Sequence, residues 1–212
     1  MKTYLKCYRV FLCNKWLKWV IYLIYPVLTI GWSGLIVYYM KQSGAIGLAI
    51  AALAVIFMEL FLDYYVFGGI LCKDTNKLQY LMTSHKGMQV LEKSLLADKT
   101  RRLLSITIIL IVIYGIFHEG VEMLQLTGSI LTVAAVTELA LMVSRGFHTL
   151  AHTIIVSMVG APVGMALLSL ALFLPSGYAV IFVIFYLVAG IVSNRKVINR
   201  AKEQYHDGKG EI

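Results

Sequence analysis

Charged residues and prolines are both scarce in this chain of 212 residues. Lysine, arginine, aspartate and glutamate make up 14% of it, and there are only 3 prolines. Soluble domains contain about 25% charged residues, so a soluble fold is not expected. Apolar residues take the place of the missing charge, because 59% of the chain is hydrophobic and the mean hydropathy is +0.79.

Other absences exclude several kinds of site. The chain has no G-x-x-x-x-G-K-[ST] sequence and therefore lacks the loop by which P-loop proteins hold ATP phosphates. Its cysteines, Cys7, Cys13 and Cys72, form no CxxC pair and have no metal-ligand spacing. We expect neither a disulfide framework nor a cofactor bound by this chain. No cleavable signal peptide is expected, because the first apolar block is long enough to span a membrane.

The apolar residues fall into long blocks. A membrane-spanning helix needs about 20 predominantly apolar residues, because hydrocarbon cannot satisfy free backbone groups. Six blocks approach or exceed this length, once the third is extended over 100–104: Trp19–Met40, Gly44–Leu71, Leu103–Phe117, Leu124–Val143, Leu150–Phe173 and Tyr178–Val192. The sequence therefore predicts an all-α, polytopic membrane protein with six transmembrane helices.

The positions of lysine and arginine predict its orientation. If six spans alternate, all of these residues except Lys41 fall on one side of the membrane. Cytoplasmic loops carry this excess, so we expect a multi-pass protein of the cell membrane with both termini in the cytoplasm. The net charge of +8 then reflects topology, and we do not expect nucleic-acid binding.

The two ends of the chain differ from the spans in composition. Within residues 1–18, apolar and basic residues occupy opposite faces of a helical pattern, which predicts an amphipathic helix at the membrane interface. Residues 19–194 form the predicted transmembrane domain. Residues 195–212 are predicted to be a basic cytoplasmic tail, which could contact anionic lipid.

One cytoplasmic loop, residues 72–102, is longer than a connection requires. It contains the run KLQYLMTSHKGMQVLEKSLLADKTRR, in which a short apolar cluster at 78–82 is followed by a turn-like break ending at Gly87. A second helical pattern then continues without proline into the third predicted span. This loop predicts a short cytoplasmic helix and a long helix that enters the membrane.

This run resembles the coupling helix of ABC-2-type transporter permeases, and the six-span plan with an interfacial N-terminal helix is similar as well. The resemblance implies a permease subunit that is not itself an enzyme and that binds a separate P-loop ATPase, which carries ATP and Mg²⁺. It also implies a homodimer with two ATPase subunits. The residues that would contact the ATPase are Leu78, Gln79, Tyr80, Leu81, Met82, Thr83, Ser84, His85, Lys86 and Gly87.

Polar residues inside or beside the spans are the other candidates, because charge within a membrane is costly and often functional. Glu59 and Asp63 are one helical turn apart and share a face. They either line a pathway or pair with basic residues such as Arg145. His148 and His152 form an H-x-x-x-H pair near Glu138 and Arg145, but the glutamate of HExxH metalloproteases is absent, so no metal site is expected.

The function that these features favour is ATP-driven export of an amphipathic or hydrophobic substrate, as in bacterial peptide or toxin exporters. One alternative is the substrate-binding subunit of an energy-coupling-factor vitamin importer, which also has six spans. A second is a membrane peptidase that uses Cys72 and His85 or a metal ion. A scaffold or immunity protein without transport activity is the remaining possibility.

Overall fold

The computed structural model describes residues 2–12, 15–40, 44–71, 81, 84, 86–116, 122–146, 150–173 and 179–207. Every regular element in these ranges is helical. Besides the second helix, which has three parts, the helices are α1 (Lys2–Phe11), α3 (Gly44–Leu71), α4 (Gly87–Ile116), α5 (Met123–Ser144), α6 (Leu150–Phe173) and α7 (Ala179–Asp207).

The second helix, α2, changes its hydrogen-bonding pattern along its length. It consists of Lys15–Trp19, a π-helical turn at Val20–Ile24, and Tyr25–Met40, which follow one another without a break. The Tyr25 N–H donates to the Val20 carbonyl, five residues earlier. Single π-helical turns often occur near functional sites, and Ile21 and Tyr22 of this turn line a cavity together with residues of α1 and α4.

Four of the described helices contain a segment long and apolar enough to cross a membrane: Trp16–Tyr39, Ala45–Phe67, Met123–Ser144 and Val180–Glu203. The predicted blocks Gly44–Leu71 and Leu150–Phe173 coincide with α3 and α6. The predicted third block occupies the C-terminal part of α4, which has charged residues in its first half. The chain is therefore an all-helical protein with the composition of a membrane protein.

Helix α5 is the best-covered helix of the bundle, because it packs against α3, α4, α6 and α7. Close packing with α6 depends on Gly164, where a Cβ atom would collide with the side chains of Ile56 and Val136. In contrast, α2 and α7 leave large apolar side chains exposed, including Trp32 and Ile184. Such exposed faces are expected where helices contact lipid.

Helices α2 and α7 run across the changes of composition near residues 18 and 195. The N-terminal helix α1 ends at Phe11, and residues 15–18 already belong to α2. The predicted tail from residue 195 continues α7 as far as Asp207. Ser193, Val197 and Ala201 are buried and lie four residues apart, so one face of this extension packs inside the protein.

Candidate functional site: a buried ion network

Seven ionisable side chains from three helices and the end of α5 meet in the interior. Each is no more than 8% exposed: Glu59 and Asp63 of α3, Asp98, Arg101 and Arg102 of α4, Glu138 of α5, and Arg145 directly after α5. We call this group the ion network. Charged side chains are rarely buried unless they are paired, and the contacts described below pair each of the seven.

The first pair in the ion network links α3 with α4. The Arg101 guanidinium donates from Nη1 and Nη2 to the two carboxylate oxygens of Glu59, at 3.1 and 2.5 Å. Its Nε also donates to Asp98 Oδ1 at 3.1 Å. The planar fork of an arginine matches a carboxylate in this geometry, so Arg101 holds one acid on its own helix and one on a neighbour.

Arg102 lies among four carboxylates. It donates from Nη1 to Glu138 Oε1 at 2.8 Å and from Nη2 to Asp98 Oδ2. Its Nε is 3.5 Å from Glu59 Oε2, and its Nη2 is 3.6 Å from Asp63 Oδ1. The Nε has no hydrogen-bond partner among the described atoms, so this guanidinium could donate to another acceptor after a small displacement.

Arg145 joins the same network from the C-terminal end of α5. Its Nε and Nη2 donate to the two oxygens of Asp63 at 3.0 and 2.5 Å. Its Nη1 donates to Ser193 Oγ and Asn194 Oδ1 of α7, at 2.9 and 3.1 Å. Arg145 thereby connects α3 to α7.

The amphipathic helix α1 reaches the ion network through Tyr8. This side chain is fully buried, and its hydroxyl donates to Asp98 Oδ1 at 2.8 Å. Burial opposes ionisation of Asp98, but the guanidiniums of Arg102 and Arg101 outweigh it and hold the pKa of Asp98 below its ordinary value. Asp98 therefore remains a charged acceptor for the Tyr8 hydroxyl.

Lys99 supplies a further cation at the side of the network. Its Nζ donates to the Tyr186 carbonyl of α7 at 3.3 Å and lies 4.2 Å from the centre of the Tyr186 ring, a cation–π contact. The ammonium fits because residue 190 is glycine, and a Cβ atom there would collide with the end of the lysine side chain. Glu138 is near enough for its charge to act on Lys99.

The net charge of the ion network is consistent with a cation, Lys99, at its side. Four carboxylates face three guanidiniums, so the ionised network alone carries one negative charge, which Lys99 balances. Removing one partner from a buried ion pair costs about 3–5 kcal/mol, because the other charge is left buried and uncompensated. The contacts of the network link α1, α3, α4, α5 and α7.

The segment predicted to contact an ATPase is described only in part. Residues 72–80, 82, 83 and 85 lie outside the described residues, so no contact of Cys72 or His85 is known. Leu81 is buried, whereas Ser84 and Lys86 are exposed. The Gly87 N–H donates to the Ser84 carbonyl at 2.9 Å, and a Cβ atom at Gly87 would collide with the Leu81 backbone. Gly87 thus permits the tight turn from which α4 begins.

The predicted polar residues have different positions. Glu59, Asp63, Glu138 and Arg145 all belong to the ion network, and Asp63 pairs with Arg145, a partner considered for it in the sequence. His148 lies outside the described residues, and His152 is an exposed residue of α6. Within the described part of the chain, no group of three or more histidine, cysteine or acidic residues could hold a metal ion.

Sequence reasoning missed Tyr8, Asp98, Arg101 and Arg102 as site residues. It counted the two arginines as loop charges that report orientation. A local signal was available, since Asp98 lies three and four residues before Arg101 and Arg102, where opposite charges face each other on a helix. Opposite charges at this spacing, just before an apolar block, would have suggested that Asp98, Arg101 and Arg102 are buried.

Comparisons with known proteins identify no relative. No family model, no curated protein and no solved structure matches the chain.

Chemically, the ion network offers alternative partners at short range. Arg102 has four carboxylates within 3.6 Å, and Asp63 has two arginines within that distance. Glu59 and Asp63 are therefore alternative acceptors for Arg102, close to its present partners Asp98 and Glu138. Sets of packed charges with two arrangements are one physical basis for switching between conformations.

Proposed function

We propose that this chain is the permease subunit of an ATP-driven exporter and works as a homodimer with two separate ATPase subunits. The proposal places it in the cell membrane with six crossings and both termini in the cytoplasm. Its substrate would be an amphipathic or hydrophobic molecule, such as a peptide. The observation that carries the proposal is the uninterrupted course of α4 from Gly87, beside the expected docking segment, through the ion network to Ile116.

The length and stiffness of α4 suit it to transmit a movement. At 1.5 Å per residue, its 30 residues extend about 45 Å. Asp98 and Arg102 lie 11 and 15 residues after Gly87, about 16 and 22 Å along the axis. A displacement that an ATPase imposes at residues 78–87 would therefore reach the ion network through an unbroken helix.

Four of the described helices are each long and apolar enough to cross a membrane, so six crossings require two further helices. Part of α6, Ala151–Gly164, is a shorter apolar segment, and the apolar half of α4, from Leu103 to Ile116, is the other. The ion network then lies near the cytoplasmic ends of α3 and α5 and at the start of the apolar half of α4. A displacement that starts at the docked ATPase would reach the membrane-spanning helices at this level.

Purification tests the proposal directly. The chain would be tagged in its native host and isolated in mild detergent, and the purified sample would be analysed for P-loop proteins and ATP hydrolysis. We expect a stoichiometric ATPase subunit and hydrolysis by the complex but not by the isolated chain. Recovery of the folded chain without any ATPase would contradict the proposal and would leave the importer, peptidase and scaffold alternatives.

The docking segment is tested at its exposed residues. Leu81→Asp is unsuitable, because Leu81 is buried and the change would disturb folding. We expect Ser84→Trp combined with Lys86→Glu to weaken ATPase binding at least tenfold, since these side chains are exposed in the proposed interface. Glu92→Lys is the matched control, a change at an exposed residue of α4 six residues after Lys86. Equal affinity for all three proteins would show that the segment is only a connection.

A further inference from the structure

A cavity of about 580 Å³ lies between α1, the part of α2 around its π-helical turn, and the middle of α4. This volume is within the range of roughly 300–1,000 Å³ that is typical of ligand pockets. Its walls are mainly apolar and come from all three helices, including Tyr4, Leu5, Tyr22, Pro26, Leu104 and Ile108. Several of these side chains are themselves exposed, so the cavity opens toward the surroundings of the protein.

The position of the cavity indicates what surrounds it. One wall is α1, which has apolar residues on the inner side and exposed Lys6 on the outer side, as interfacial helices do. The opposite walls belong to α2, which is long and apolar enough to span a membrane, and to α4. The opening therefore lies where acyl chains meet headgroups in the leaflet that α1 contacts.

Arg9 is an exposed cationic residue of α1, the helix that contributes Tyr4 and Leu5 to the cavity wall. Arg9 follows Leu5 by one helical turn and so lies on the same side of α1. It is also near enough to act electrostatically on the hydroxyl of Tyr22, which lines the cavity. Arg101 itself lines the cavity wall, but Glu59 and Asp98 occupy its donors. Arg9 is therefore the residue available for a ligand's negative charge.

We propose that this cavity binds one anionic phospholipid of the surrounding leaflet, with an acyl chain against the apolar walls and the phosphate near Arg9. The apolar lining matches the chain, and the exposed guanidinium matches the phosphate. The inference depends on membrane insertion of the chain and goes beyond the proposed export function. A bound lipid at this place would contact α1 and α4 and would stabilise their packing around Tyr8 and Asp98.

Native mass spectrometry of the full chain in mild detergent provides the test. Phosphatidylglycerol and phosphatidylcholine with identical acyl chains are titrated separately, and the dissociation constant of the first bound lipid is measured. We expect phosphatidylglycerol to bind about fivefold more tightly, the effect of one cation close to an anionic lipid. Arg9→Gln should remove this preference, whereas Arg195→Gln, an equal charge change at an exposed site on α7, should retain it.

A pair of matched threonine variants tests the place of binding. Thr100 lines the cavity, and its hydroxyl donates to the Leu96 carbonyl at 3.0 Å. Thr127 on α5 is also exposed and donates in the same way to the Met123 carbonyl at 3.1 Å. We expect Thr100→Trp to fill the cavity and weaken the first lipid at least tenfold, and Thr127→Trp to leave binding unchanged. If Thr100→Trp does not fold, Ser105→Phe fills the same cavity.

Three results would overturn the proposal. Equal binding of both lipids by the unchanged chain would remove the preference for a lipid with a net negative charge. Equal effects of Arg9→Gln and Arg195→Gln would indicate attraction by net charge alone. Equal effects of the two tryptophan variants, or no effect of either, would show non-specific lipid around the whole protein instead of one site.

Discussion

The positive charges of this chain occupy two contrasting environments. Arg101, Arg102 and Arg145 are almost fully buried and donate to carboxylates of other helices or of their own. Lys6 and Arg9 on α1 are exposed. In the sequence both groups contribute equally to the excess of basic residues that predicts orientation. The difference teaches that a count of charges reports topology but does not reveal which of them hold the helices together.

The strongest test of this contrast is Arg102→Met. The change leaves Glu138 and part of Asp98 without their guanidinium partner in a buried site, which should cost about 3–5 kcal/mol of unfolding free energy. We expect little or no folded protein, measured by size-exclusion chromatography and thermal unfolding in detergent. If Arg102→Met unfolds at the temperature of the unchanged protein, the buried network does not stabilise the fold.

Glu59 and Asp63 of α3 allow the contributions of two buried ion pairs to stability to be compared. Asp63→Asn leaves Arg145 with only neutral acceptors, Ser193 and Asn194. Glu59→Gln leaves Arg101 still bound to Asp98. We therefore expect Asp63→Asn to lower the free energy of unfolding more, by about 3 kcal/mol or above, and Glu59→Gln to lower it less.

The same two variants separate structural from pathway roles. The ATPase activity per folded molecule of the proposed complex would be measured on the preparations used for unfolding. We expect normal activity per folded molecule for both variants, since each acid is already paired with an arginine. Altered substrate-stimulated activity in Glu59→Gln with unchanged stability would instead assign Glu59 to the pathway, one of the two roles that its sequence position allows.

Tyr8→Phe tests the attachment of α1. The variant keeps the ring and removes only the hydroxyl that donates to Asp98. A hydrogen bond to a charged group contributes about 1.5–3 kcal/mol, and we expect a loss near the lower limit because Asp98 keeps its two arginines. The measurement is thermal unfolding together with protease cleavage within residues 2–12. Unchanged cleavage and unchanged stability would show that α1 is held by apolar packing alone.

The smallest effect is expected at the surface. Lys6→Gln changes an exposed basic residue of α1, and exposed substitutions of this kind usually alter stability by no more than about 0.5 kcal/mol. We expect thermal unfolding in detergent to be unchanged within that limit. A loss as large as that of Arg102→Met would remove the distinction between the two groups of charges.

The sequence predicted the helices better than the contacts between them. Long apolar blocks identify helices because backbone groups in hydrocarbon must be satisfied within the segment, and the bounds of α3 and α6 follow from this rule. The start of α4 at Gly87 was also readable from the break in the pattern. The π-helical turn at Val20–Ile24 was not, because nothing in its composition distinguishes it from the apolar residues that follow.

The ion network was predictable only in part. The shared face of Glu59 and Asp63 follows from their spacing of four residues. The pairing of Asp98 with Arg102 could have been predicted from the same spacing. The bond between Glu59 and Arg101 joins residues 42 apart, and that between Asp63 and Arg145 joins residues 82 apart. Such pairs depend on how helices dock, which local periodicity does not specify. The burial of Val197 and Ala201 beyond the last predicted span has the same origin.

The close approach of the Lys99 side chain to Gly190 has a consequence for how this chain can change over evolutionary time. Because the end of the Lys99 side chain occupies the space where a Cβ atom of residue 190 would stand, a larger residue at 190 would move the ammonium away from its contacts with Tyr186. Replacement of Gly190 by alanine would favour a shorter residue at position 99, and loss of the lysine would relax the need for glycine. Residues 99 and 190 should therefore covary among homologous chains, although 91 residues separate them and neither lies in a recognisable motif.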